Sequence, residues 1–397
     1  MTNTPLTSAP DAARTRPVRA SAGAVATTVA CVLPVFLLGG LAVQMAADLD
    51  FSPAGLGLAV AVYFGVSALA SVPSGRLVER HGPALVARCG IVLAAASMLA
   101  IAALARSYPV LLGLLALSAA ANALGQLSSN AALAEHVPPG RQGLSFGVKQ
   151  AAIPVSTLLA GAAVPTIALT AGWRWAFVVA AVAALTTLPA VPQQVSGRAR
   201  RASAARASGA TAALVVIGAA ATLAAAAANG LGTFLVDSSA ARGLSPGLAG
   251  LTLTLGSAVC VAARVGAGWL ADRRASGHIA VIAGMLVVGA VGIGLLALAG
   301  TVPLVVGVVL GFGLGWAWPG LMNFAVVQLH PQAPAAATSI TQTGVYAGGC
   351  LGPLTLGPLA AHLGYPTMWA TAAVSMLLAA ALMLTGSRLL LRPVQPT

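Results

Sequence analysis

Gly75-Arg76-Leu77-Val78-Glu79-Arg80-His81-Gly82 and Gly268-Trp269-Leu270-Ala271-Asp272-Arg273-Arg274 are two versions of one phrase, 193 residues apart, each set between long apolar runs. The same offset pairs Ser52-Pro53 with Ser245-Pro246, Asn130 with Asn323, and Pro138 with Pro331. One offset held over so much chain means two homologous halves. A tandem repeat inside an apolar chain is a mark of transporter architecture.

Composition agrees with that reading. Of 397 residues, 58% are hydrophobic and only 7% are charged, against about 25% charged in soluble domains. Runs of roughly 20 apolar residues, the length that crosses a bilayer core, recur along almost the whole chain. The formal charge of +13 is no sign of nucleic-acid binding, because the arginines lie at segment ends and not on one basic, aromatic-interleaved surface. Lys149 is the only lysine; with abundant Ala and Gly this points to a GC-rich bacterial genome. Cys31, Cys89, Cys260 and Cys350 fall in four different apolar segments with no metal-ligand spacing, so they read as small buried hydrophobes.

Twelve spans are expected. The first half gives roughly 23–47, 53–74, 84–105, 108–134, 142–168 and 173–191, and the second roughly 211–236, 246–267, 278–300, 302–328, 336–360 and 367–387. The chain therefore divides into a polar tail over 1–22, a six-helix bundle over 23–191, a linker over 192–210, a second bundle over 211–387 and a short tail over 388–397. The linker carries Arg198, Arg200, Arg201 and Arg206. Every span should be helical, since lipid cannot satisfy an unpaired backbone and the segments are too long and apolar for barrel strands. The fold class is thus all-α, spanning the bilayer as two homologous bundles. The side shared by both termini holds most of the arginines, and the opposite loops hold only Arg106, Arg174 and Arg242. By the positive-inside rule the termini, the repeated loops and the linker are cytoplasmic.

Six spans plus six, a basic central loop, and a Gly-x-Leu-Ala-Asp-Arg-like loop after spans two and eight are together similar to the major facilitator superfamily. The resemblance covers essentially the whole chain. Gly75, Leu77, Glu79, Arg80 and Gly82 match the superfamily's loop pattern in the first half, and Gly268, Leu270, Asp272 and Arg273 match it in the second; Pro83 and Ala84 depart from its usual basic pair. The resemblance implies that these loops lock the cytoplasmic side while the outer side is open. Gly75 and Gly268 would then let helices approach closely. Glu79 and Asp272, just before spans three and nine, are carboxylates suited to a helix N-terminus. Arg80, Arg273 and Arg274 serve equally well as topological anchors.

Candidate substrate contacts come from polar residues inside the spans. Ser118, Asn122, Gln126 and Asn130 recur every fourth residue in span four, on one slowly drifting face. They must face protein or water, because lipid exposure of an amide is costly. Asn122 and Gln126 are candidates for the central cavity, with interhelical bonding as the alternative; for Asn130 and Asn323, nearer the basic ends, a structural role is the expectation. Lys149, followed by Gln150, lies about two turns into span five, and a charge at that depth is a functional hypothesis by default. Snorkelling to the headgroups is the alternative. Its repeat mate is Gln342, with Tyr346 one turn onward. Arg264, one turn from a basic loop, reads as snorkelling or helix packing. Asn229, Trp316 and Trp318 are weaker candidates, for which filling helix contacts is the commoner role.

No Asp or Glu falls in mid-span, and all five histidines lie in or beside loops. A buried carboxylate relay has no candidate, and neither does hydrolase or metalloenzyme chemistry. The expectation is a monomeric, non-enzymatic secondary transporter without cofactor, in a bacterial cytoplasmic membrane. Lys149 favours a small organic anion. Efflux of hydrophobic drugs and a non-transporting sensor or scaffold are the alternatives.

Overall fold

The computed structural model describes residues 10–51, 53–192, 208–244 and 246–391, all of the regular structure in them helical. The first half contains α1 (Pro10–Gly40), α2 (Ala42–Leu49), α3 (Pro53–His81), α4 (Pro83–Leu104), α5 (Tyr108–His136), α6 (Pro139–Ala163), α7 (Leu169–Ala171) and α8 (Trp173–Thr186). The second contains α9 (Ser208–Ala241), α10 (Pro246–Ala271), α11 (His278–Leu295), α12 (Thr301–Leu310), α13 (Pro319–Leu329) and α14 (Pro334–Leu391). Proline begins α3, α4, α6, α10, α13 and α14. It can stand there because the first helical N–H has no intrahelical partner to lose.

Ten stretches of described chain are long and apolar enough to cross a bilayer. One of them, Pro334–Leu389, is 56 residues long, about 84 Å as a straight helix against a core of about 30 Å. It breaks at Gly364, whose φ of 80° and ψ of 163° suit a residue without a Cβ. The break falls between the stretches 336–360 and 367–387 read as separate spans. Helix α6 is not among the ten, because Gln142, Ser145, Lys149, Gln150 and Ser156 dilute its apolarity; all five are buried. Helix α1 begins at Pro10, well before residue 23, so part of the segment read as a polar tail is helical. The linker arginines Arg198, Arg200, Arg201 and Arg206, and the Ser52–Ser245 pair, lie outside the described residues.

Each half has its own apolar core. Ile91, Met98, Leu111, Trp173 and Phe177 belong to the first; Ile282, Leu286, Ile293, Phe312, Trp318, Trp369 and Met376 belong to the second. Outward-facing Leu69, Leu104, Val179, Leu251, Val302 and Leu378 present exposed hydrocarbon, as a lipid-facing surface requires. The halves meet chiefly along two seams, α3 with α14 and α6 with α10. The second core also takes in Ala20, Ala24, Leu133, Val137 and Phe146 of the first half, and Ala335 joins a small cluster with Val78, Val86, Leu127 and Ala131. Most of these crossings lie toward the end of the bundle that carries the termini, called the basic end below.

Candidate functional site

At the basic end the two repeated loops form a pair of clasps between the halves. Glu79, in the last turn of α3, accepts the main-chain N–H of Ala335 at 3.1 Å and of Ala336 at 3.3 Å. Asp272, just past α10, accepts those of Gly143 at 2.6 Å and Leu144 at 2.9 Å. Glu79 therefore caps the first turn of α14, where free N–H groups and the helix dipole favour an anion, and Asp272 grips the second turn of α6, so each carboxylate holds a helix of the opposite half. This corrects the expectation that they serve the N-termini of spans three and nine. Helices α4 and α11, which follow them, begin at Gly82 and Gly277 without a side-chain cap.

The motif glycines make the clasps possible. A Cβ at Gly268 would overlap the Gly143 carbonyl, and one at Gly75 would lie 2.9 Å from the Ser339 Cβ. Arg80 and Arg273 are both exposed. Arg273 stacks 3.5 Å from the centroid of Trp269 in its own half, which fits the anchoring alternative better than a bond across the seam. Two further contacts cross the halves, Gln328 Nε2 to Gln142 Oε1 at 3.2 Å and Thr343 Oγ1 to the Ala68 carbonyl at 3.4 Å.

Deeper in the bundle, Lys149 of α6 is fully buried. Its Nζ donates to Asn130 Oδ1 at 2.9 Å and to Gln126 Oε1, and lies 3.5 Å from the Gln126 carbonyl. The lysine thus turns inward to α5 and does not snorkel. Asn130, expected to be structural, is one of its partners. All four members of the stripe, Ser118, Asn122, Gln126 and Asn130, are buried. Asn122 Nδ2 donates to Ser67 Oγ at 3.3 Å, leaving its Oδ1 without a partner. The Tyr346 hydroxyl faces Asn122 and Gln342 but closes no hydrogen bond of good geometry. The Tyr346 ring stacks on Phe64 of the other half at 6.1 Å. Gln150 Oε1 is likewise buried and unpartnered. Buried polar atoms of both halves, Asn122 Oδ1, Gln150 Oε1 and the Tyr346 hydroxyl, are therefore left unsatisfied. Such atoms cost free energy in a dry interior, and they are the groups a polar ligand would engage.

Three sequence candidates fall outside this cluster. Asn229 Nδ2 bonds the Ala225 carbonyl of its own helix at 2.8 Å. The ring of Trp316 packs against Phe312, 5.4 Å between centroids, and Trp318 is fully buried in the second core.

Sequence reading undervalued Arg264. It is buried in α10, so it does not snorkel, and it packs helices together through hydrogen bonds. Its Nη1 donates to the Gln150 carbonyl across the seam at 2.6 Å, and its Nη2 and Nε donate to the Trp316 carbonyl at 2.9 and 3.3 Å. That carbonyl lies between a π turn at Gly311–Gly315 and Pro319, where the helix is interrupted and backbone acceptors need outside partners. The signal was in the sequence: Arg264, Gly268 and Asp272 follow one another at four-residue spacing, one face of a helix.

The superfamily profile for the "Major Facilitator Superfamily" matches residues 24–353 and again 217–396, the second match starting 193 residues after the first. The chain belongs to the major facilitator superfamily. No curated protein matches it. Among solved structures, the superfamily transporter FucP in its outward conformation is 16% identical, with a TM-score of 0.68 over 93% of this chain and 98% of that one. The proton:xylose symporter XylE is 16% identical, with a TM-score of 0.73 over 94% and 95%. The human organic anion transporter TETRAN is 16% identical, with a TM-score of 0.69 over 94% and 99%. These likenesses establish the fold, and the family match makes the chain a multi-pass, all-helical membrane transporter.

Proposed function

We propose that the chain moves a small organic anion across a bacterial cytoplasmic membrane by alternating access. In this reading it crosses the bilayer twelve times, works as a monomer without cofactor or enzymatic activity, and has its basic end in the cytoplasm. The observation that carries the reading is Lys149, fully buried and held only by neutral acceptors on Gln126 and Asn130. A cation in a low-dielectric interior attracts an anion far more strongly than one at a surface. The unpartnered Asn122 Oδ1, Tyr346 hydroxyl and Gln150 Oε1 would orient the polar remainder of the solute. The name of the human relative, an organic anion transporter, is in keeping with this class. Packing of Trp316 and Trp318 into the second core gives hydrophobic-drug efflux little support.

Lys149→Gln tests the reading, since it keeps hydrogen-bonding capacity, loses the charge and copies the repeat mate Gln342. Anion affinity should fall about tenfold or more, equivalent to about 1.4 kcal/mol. Lys149→Arg should restore part of it, limited by the bulkier planar fork. Undiminished anion binding in Lys149→Gln would overturn the assignment. Flux of the bound anion into proteoliposomes separates a carrier from a non-transporting sensor. Reporters placed after residue 397 and within 195–208 should both read cytoplasm.

A further inference from the structure

We infer that Lys149 and Arg264 form a two-point anion clamp, so that the preferred solute is a small dianion whose two charges are divided between the halves of the protein. The inference rests on the anion reading above and deepens it.

The two cations stand on helices that meet at one seam, Lys149 on α6, where its side chain turns to α5, and Arg264 on α10. The guanidinium of Arg264 touches the carbonyl of Gln150, the residue that follows Lys149. Both side chains are buried, and among the described residues no Asp or Glu is. Each positive charge works against the other. Their partners are amide oxygens and main-chain carbonyls: Gln126 and Asn130 for the lysine, Gln150 and Trp316 for the arginine. Dipoles of this kind ease desolvation but carry no net charge, and removing an ion from water costs several kcal/mol even after relaxation. A monoanion would neutralise one cation and leave the other unbalanced, whereas a dianion would neutralise both.

The chemistry of the two groups differs in a useful way. Arg264 spends three of its five N–H donors on the two carbonyls and also bonds the Cys260 side chain, which leaves a donor for one anionic oxygen. Lys149 is a point charge that takes an anionic oxygen from any direction. Arg264 also stands on the helix face that carries Gly268 and Asp272, so the second charge of the solute would fall on the seam that must part during transport. The competing role for Arg264 is purely architectural, satisfying the Trp316 carbonyl at the interruption in the helix.

Malonate, succinate and glutarate, each beside the monocarboxylate of the same length, should be titrated against the purified full chain and against Lys149→Gln, Arg264→Gln and Arg264→Lys. The wild type should bind its best dianion at least about tenfold more tightly than the matching monoanion, the scale of losing one buried charge partner. Arg264→Gln should bring the dianion down to the monoanion's affinity while leaving the monoanion within about threefold. Arg264→Lys should keep much of the preference. Equal binding of both classes by the wild type would overturn the clamp, as would an Arg264→Gln protein that weakens both equally. Should Arg264→Gln not fold, the wild-type ratio and Arg264→Lys still decide. The two readings fail differently: monoanion binding that depends on Lys149 with no gain for dianions defeats the clamp alone. Anion binding indifferent to Lys149, or none of either class, defeats the anion reading and the clamp with it.

Discussion

The two ends of the bundle use polar side chains in opposite ways. At the basic end the carboxylates of Glu79 and Asp272 reach out of one half to hold a helix of the other. At the far end, Trp173 Nε1 and Arg174 hold Asp48 at 3.0 and 2.5 Å, and Arg174 takes the Ala105 carbonyl at 3.1 Å. In the second half Arg242 takes the carbonyls of Leu298 and Leu296. Leu298 is the repeat mate of Ala105. Each of these far-end bonds stays within one half. The difference explains how one fold can be firm and still open. Bonds within a half stiffen a body that moves as a unit. Bonds between halves decide which end is shut, and those at the basic end are hydrogen bonds to carboxylates of a few kcal/mol, weak enough for bound solute to outweigh.

The contrast breaks most severely at Gly268. Gly268→Val would drive a side chain into the Gly143 carbonyl and Gly147. These are backbone positions that cannot swing aside, and overpacking of this kind costs about 1–3 kcal/mol or more. The α6–α10 seam should stay parted, and a cysteine placed at Gln142 should label at least tenfold faster, roughly the factor for 1.4 kcal/mol. A folded Gly268→Val protein with wild-type labelling would show that the seam closes without this close approach.

Removing the clasps one at a time should rank them. Hydrogen bonds to charged groups are worth about 1.5–3 kcal/mol, part of which a neutral amide retains. Asp272 uses both oxygens at 2.6 and 2.9 Å, whereas Glu79 uses one oxygen at 3.1 and 3.3 Å. Asp272→Asn should therefore shift the population toward basic-end-open by about tenfold, and Glu79→Gln by only about threefold. Site-directed labelling from each side reads both. Unchanged accessibility in both proteins would reduce the acids to helix caps with no say in gating.

Much of this was legible in the sequence because the repeat is an internal control. The offset between the two motif loops located both clasps, and one charge in an apolar run located Lys149. Partnership was not legible. Sequence adjacency put Glu79 and Asp272 next to spans three and nine, but side chains at a helix end can turn to any neighbour that offers main-chain N–H groups, and those they meet belong to the other half. Of the two roles read for Arg264, helix packing holds and snorkelling fails for a similar reason. Distance from a loop along the chain says how far an arginine could snorkel, but its burial was decided by an acceptor at Trp316, where α12 gives way to α13. The break in Pro334–Leu389 falls at Gly364, between the two stretches read as separate spans, and proline alone does not end these helices: Pro353 and Pro358 lie within one.

The smallest effect is expected at the far end, and it is the control for all the others. Asp48→Asn removes the acid from the Arg174–Trp173 cluster without touching either seam. Cysteine labelling at Gln142 should match the wild type. Its consequence should be confined to stability, and to a particular pH range. Arg174 and, after it, the Trp173 indole hold the Asp48 carboxyl below its ordinary 3.8, so the folded state favours the ionised form. A depressed carboxylate pKa contributes stability above the unfolded value and loses it as pH falls through the folded one. The wild type should therefore melt slightly above Asp48→Asn at pH 5 to 7, with the gap closing below about pH 4. The gap should also be small, because the ion pair is half exposed, 31% for the arginine and 49% for the aspartate, and is screened by water and salt. A labelling change in Asp48→Asn as large as that in Asp272→Asn would mean the far end also joins the halves, and the division between the two ends would fall.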